Sequence, residues 1–162
     1  MNHVFSFLLI DPYAEKITAQ SHTLDAGLSG DAAGSAAMDI MRKTLGYGHL
    51  EPILSHRDPT GIQFWVDDEG FLKPTEEARY WTAHFRPDLL VGKAAVCYVE
   101  PPPSGFPAMD REVLSLLGDV EASVRFIGPA QNAEREILTG NIIRPQITVN
   151  GKVTWEWRYK QD

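Results

Sequence analysis

The apolar positions of this 162-residue chain fall into short blocks separated by turn residues, and one stretch repeats most clearly at helical spacing. The first block, Val4 to Ile10, is rich in β-forming residues and too short for a helical pattern. It therefore predicts a buried strand. Asp11-Pro12-Tyr13-Ala14 follows, with an aspartate able to bond the backbone ahead of it and a proline that presets φ, and a second strand is expected from about Lys16 to Ser21. Together they predict an N-terminal hairpin.

Asp31 to Leu45 predicts the main helix. Ala33, Ala36, Ala37, Ile40, Met41 and Leu45 form an apolar stripe near the 3.6-residue period, with Asp31 as the expected cap. Arg42 and Lys43 lie in the last turn, where the helix dipole favours cations, and Gly46 or Gly48 supplies the stop. Alanines at the start of the stripe would let a sheet approach closely.

Beyond the helix, strands are expected at Ile53-Leu54, at Ile62 to Val66 and at Ala94 to Glu100, with tight turns at 56–61 and at Asp67-Asp68-Glu69-Gly70. Pro74 to Tyr80 reads as a short helix with proline in its first turn. The run from Pro101 to Pro107 contains three consecutive prolines, which cannot join a ladder, and predicts a stiff extended connector. A short helix is then expected over Asp110–Leu117, a strand over Ala122–Ile127 and a helical turn or two over Asn132–Leu138.

The C-terminal stretch Gln146 to Tyr159 alternates on both sides of Asn150-Gly151 and predicts a hairpin. A two-residue turn would pair Val149 with Lys152. A three-residue loop ending on Gly151 would pair Ile147 with Val153 and gather Ile147, Val153, Trp155, Trp157 and Tyr159 on one face. The hydrophobic pattern favours the second, bulged arrangement.

These elements predict an α+β fold: a mostly antiparallel sheet of six to eight short strands, with the 31–45 helix packed on one face and short extra helices. Repeated βαβ units are absent. Length fits one domain over 1–162, with a possible subdivision at the proline-rich connector 101–107. The part after the connector is too small to be more than marginal alone.

Charge narrows the partners. The formal net charge is -7, and residues 11–70 hold most of it, ten acids against four bases. Such a surface repels nucleic-acid phosphates, so direct nucleic-acid binding is disfavoured. No apolar run is long enough for a membrane span, Val4–Ile10 lacks the basic leader of a signal peptide, and the single cysteine, Cys97, has no partner for a disulfide. A cytoplasmic setting is the expectation. The sequence does not specify an oligomeric state.

Three pieces of the chain, Leu8-Leu9-Ile10-Asp11-Pro12, Val66-Asp67-Asp68-Glu69-Gly70-Phe71-Leu72-Lys73 and Gly92-Lys93-Ala94-Ala95-Val96, resemble an uncharacterised family of phage, plasmid and bacterial proteins. It is the domain of unknown function numbered 3846, and the likeness covers roughly residues 5–100. The resemblance implies a small α+β domain carried by mobile elements, and implies no activity.

Candidate chemistry is sparse. The carboxylates of Asp67, Asp68 and Glu69 could meet a hard cation, but they lack the alternate spacing of a calcium loop, and a solvated turn explains them better. His56 or His84 could pair with Asp67 or Asp68 as an acid–base couple. No two of the five histidines have the helical metal spacing, and Cys97 falls inside a strand, where a buried thiol is expected. Gly27 to Gly34 opens a helix but carries neither phosphate-loop fingerprint. No cofactor or metal is therefore expected, and the balance is against an enzyme. Trp81, Trp155, Trp157 and Tyr159 are the candidates for a protein-partner surface, with core burial the commoner fate of a tryptophan. The leading expectation is a non-enzymatic accessory or protein-interaction protein of a phage or other mobile element. The alternative is a small metal-assisted hydrolase built from His56, His84, Asp67 and Asp68.

Overall fold

The computed structural model describes residues 2–54, 61–67, 77–101, 103–140, 147–149 and 152–154. Elements in chain order are β1 (His3–Asp11), β2 (Lys16–Leu24), α1 (Gly30–Leu45), β3 (Leu50–Pro52), β4 (Ile62–Asp67), β5 (Tyr80–Ala83), β6 (Arg86–Val91) and β7 (Ala94–Tyr98). A 3-10 turn (Leu114–Leu116) then leads into α2 (Leu117–Ser123), β8 (Val124–Gly128), α3 (Ala130–Leu138), β9 (Ile147–Val149) and β10 (Lys152–Thr154). The fold is α+β, and every strand pairing among the described residues is antiparallel.

The expected single sheet is instead three among the described residues: a five-stranded sheet ordered β2-β1-β7-β4-β3, a three-stranded sheet ordered β6-β5-β8, and the β9–β10 hairpin. Alternation along the strands explains how the two larger sheets stack. Phe5, Phe7, Trp65, Ala95 and Cys97 point to one face of the five-stranded sheet and pack under Ala37, Met38, Met41 and Leu45 of α1. Leu8, Ile10, Phe64, Val66, Ala94 and Val96 point to the other face and meet Trp81, Ala83 and Leu90 of the three-stranded sheet, with Val113, Leu116 and Val120 closing the side. The far face of that second sheet places Tyr80, Leu89, Val91 and Ile127 against Ala130 and Ala133 of α3. Four layers result, α1, five strands, three strands and α3. Phe5 to Leu8 are buried because β1 lies between two of these layers.

The N-terminal hairpin forms as expected, in regular register from His3↔Leu24 to Asp11↔Lys16. The Asp11 Oδ1 accepts hydrogen bonds from the Tyr13 and Ala14 backbones at 3.0 and 3.2 Å, the turn chemistry its sequence predicts. Helix α1 ends on Gly46, which adopts φ 77° and donates to the Arg42 carbonyl at 2.8 Å. Its start differs from expectation: Ser29 occupies the cap position and Asp31 lies in the first turn. Its buried stripe also includes Gly34 and Met38, whereas Ala36 and Ile40 are half-buried. Phe106 rests on the bare backbone of Gly34, which places that position inside the buried stripe.

Other departures have local causes. The 101–107 segment is not an extended connector; Glu100 N–H bonds the Phe106 carbonyl at 2.8 Å and Ala108 N–H bonds the Tyr98 carbonyl at 2.9 Å, closing the chain into a loop. Strand β8, after this loop, pairs with β5, before it, so both sides of the proline-rich segment share a sheet. Strand β3 stops at Pro52 because the Gln63 side chain takes over: its Oε1 accepts from Leu54 N–H at 2.7 Å and its Nε2 donates to the Leu54 carbonyl at 3.1 Å. Glu77 to Arg79 are not helical and Tyr80 begins a strand rather than ending a helix; residues 74–76 of that expected helix lie outside the described residues. The helix expected at 110–117 is displaced to the 3-10 turn and α2, because the buried pattern Val113, Leu116, Val120 carries helical spacing further along the chain.

The C-terminal hairpin corrects the predicted register. Val149 pairs with Lys152 and Ile147 with Thr154, so two residues separate the strands and the bulged arrangement is not formed. The local preference of Asn-Gly for a two-residue connection outweighs the hydrophobic pattern here.

Candidate functional site

The described residues of the three sequence pieces noted above, 8–12, 66–67 and 92–96, meet at one end of the five-stranded sheet. Ile10 of β1 and Trp65 of β4 pair with Ala94 and Ala95 of β7, so Asp11, Asp67 and Lys93 stand at neighbouring strand ends. Gly92 turns the chain between β6 and β7 with φ 78°. Its N–H donates to the Arg79 carbonyl, its carbonyl accepts from Trp81 Nε1, both at 2.9 Å, and the next backbone N–H, of Lys93, donates to the Tyr47 hydroxyl. Burial, with Tyr13 and Asp67 nearby, holds the Tyr47 phenol well above its ordinary range. Burial likewise pushes Tyr80 up to about 12, with Tyr13 adding to the effect. This corner is a folding node, where the Gly92 N–H and carbonyl and the Lys93 N–H are all spent on the turn.

The two described candidate acid–base residues, His84 and Asp67, do not come together there. His84 is exposed in the β5–β6 turn, at the opposite end of β5 from Tyr80; its backbone donates to the Ser123 carbonyl and its ring meets Phe85 edge-on. Asp67 is buried at the end of β4, on the α1 side of the sheet. His56 and Asp68 lie outside the described residues. Among the described residues no group of three His, Cys, Asp or Glu side chains is placed to hold a metal ion. Cys97 is buried, and burial pushes its thiol up to about 12, far from the thiolate a nucleophile requires.

Of the partner-surface candidates, Trp81 is entirely buried and bonded to Gly92, so it belongs to the core and is corrected from the surface. Trp155, Trp157 and Tyr159 lie outside the described residues. A cleft of about 490 Å³ opens beside the start of α1, lined in part by His3, Asp31, Glu100, Phe106, Met109 and Asp110. Asp110 is already engaged there: its carboxylate accepts from His3 Nδ1 and Val4 N–H, both at 2.9 Å, and the His3 bond chiefly lowers its pKa.

A different feature stands out at the sheet margin. Strand β2 is terminal in the five-stranded sheet, nine residues long, unbroken in register and free of proline. Lys16 is its single formal charge. Along an antiparallel edge, alternate residues direct both N–H and C=O outward, and among the described residues nothing but β1 forms a ladder with this strand. Helix α2 rests against β2, and Ile17 of β2 packs against the same core cluster that holds Val120 of α2. The other described edges are shorter or interrupted: β3 has three residues and ends in proline, β6 carries Arg86, Pro87 and Asp88 in its sequence, β8 has five residues, and β9 and β10 have three each. Sequence patterning predicted the second strand but could not mark it as an edge.

Comparison with family models, with curated proteins and with solved structures returns no match to this chain.

Proposed function

We propose that this chain is a non-enzymatic accessory protein that works by docking a protein partner, and that its docking element is the outer edge of β2. The observation that carries this is the nine-residue, proline-free, unbulged edge carrying one formal charge, in a fold whose other described edges are short or interrupted. Protein chains normally guard such edges against pairing; one left open is suited to accept an additional strand by backbone hydrogen bonding. A phage or mobile-element origin rests on the resemblance of residues 5–100, and a cytoplasmic setting on composition.

A photo-crosslinking side chain installed at Gln20, and separately at the exposed Leu114, tests the proposal in cells. A defined adduct at position 20, absent at 114 and lost when Thr18 and Ser21 are both changed to Lys, is the expected result. Lack of any adduct along β2 would overturn it.

A further inference from the structure

Building on that docking edge, we infer that its occupant is the β2 strand of a second copy of this chain, forming a two-fold dimer with one continuous ten-stranded sheet. Specific capture of a foreign strand uses pockets for alternate side chains in addition to backbone bonds. The exposed side chains of β2 are Lys16, Thr18, Ala19, Ser21 and Thr23, too small or flexible to wall such pockets. Self-pairing obtains its specificity from symmetry instead, since an isologous contact needs only a surface that matches itself.

The register follows from geometry. A two-fold axis perpendicular to the sheet keeps each face on its own side, and directly opposed residues of an antiparallel pair share a face. Residues that meet must therefore be separated by an even number along β2. Centring on Gln20, the middle of the strand, uses all nine residues: Gln20 meets Gln20, Ala19 meets Ser21, Thr18 meets His22, Ile17 meets Thr23 and Lys16 meets Leu24. The two Lys16 charges then stand at opposite ends, about 27 Å apart at ~3.4 Å per residue, so the only charge on the strand does not oppose itself. Association also stops at two copies, because the other end of the sheet is the short, proline-terminated β3. An open edge that could template aggregation is thereby consumed.

Two electrostatic terms set the strength. Each copy carries -7, and just beyond each strand end Glu15 of one copy faces Asp25 of the other in this register. Both repel. With nine residues a side, against ~20–30 in a standard interface, the dimer is reversible and strengthened by salt that screens the acids.

Sedimentation velocity of the full chain tests this. The expected result is a concentration-dependent monomer–dimer equilibrium that shifts toward dimer as salt rises. Glu15→Lys should tighten association at low salt, a gain that mere destabilisation would not produce. Gln20→Lys and Gln20→Glu should each weaken self-association by about tenfold, because like charges then meet on the axis, and mixing the two should restore the dimer. Monomer at every concentration and salt, or a dimer indifferent to the Gln20 pair, would overturn the second-copy inference. If the chain is monomeric yet crosslinks a different protein through position 20, the docking edge stands and only its occupant is wrong; if position 20 captures neither, both fail.

Discussion

Gly92 shows how much of this molecule depends on one backbone conformation. Its φ of 78° disfavours any side chain, and an added Cβ would lie 2.4 Å from the Tyr47 hydroxyl oxygen. Gly92→Ala should cost roughly 2–4 kcal/mol, combining the left-handed backbone penalty with overpacking, measured by urea denaturation. Adding Tyr47→Phe removes the obstructing oxygen, so the double variant should lose less than the two single effects combined; full additivity would show that Tyr47 does not limit the site. Cys97 illustrates the complementary case, a reactive group neutralised by placement. With its thiol pushed up to about 12 by burial, it should resist alkylation at pH 8 in the folded chain and react fully in denaturant. Rapid native-state modification would contradict its position in the core.

At the scale of elements, packing decides between competing preferences. Gly34 sits inside α1, where alanine is ordinarily better by about 1 kcal/mol. Yet its added Cβ would approach the Cβ and Cγ of Phe106 to 2.5 and 2.8 Å, atoms near the backbone that cannot swing aside. Gly34→Ala should therefore destabilise by roughly 1–3 kcal/mol, the overpacking term winning over propensity. An increase in melting temperature would mean that the 103–107 loop yields freely. The C-terminal hairpin shows the same competition resolved the other way. There a two-residue Asn-Gly connection overrides alternation, because turn geometry acts within a few residues and fixes register before any distant face can select it.

For the whole molecule, three buried acids of weak strength couple stability to alkaline pH. Cys97 and Tyr80 are both raised to about 12, from ordinary values of 9.0 and 10.0, and Tyr47 is raised further. Each keeps its proton longer in the folded state than in the unfolded one, so the unfolded chain binds fewer protons once pH exceeds the ordinary values. The stabilisation from Cys97 and Tyr80 is complete below pH 9 and is lost progressively from 9 to 12, and that from Tyr47 persists to higher pH. Chemical denaturation across this window should show falling stability, and Cys97→Ala should remove the earliest part of the fall. A flat profile would mean that these groups are not buried as described.

The hairpin of β1 and β2, the α1 boundaries near 31–45, strands β4 and β7, and the turn at Asp11 were legible in sequence, because each rests on periodicity or turn chemistry within a few residues. Strand β6 escaped it because Arg86-Pro87-Asp88 interrupts its apolar pattern, which an edge strand tolerates and a central one does not, and β5 because its first residue was assigned to the end of a helix. The corner joining Asp11, Asp67 and Lys93, the separation of His84 from Asp67, the burial of Trp81 and the side of β2 that has no ladder partner among the described residues were decided by tertiary structure alone. All are relations between segments far apart in the chain. A strand's own residues state that it can pair on two sides; only the packed sheet determines which side is left unpaired.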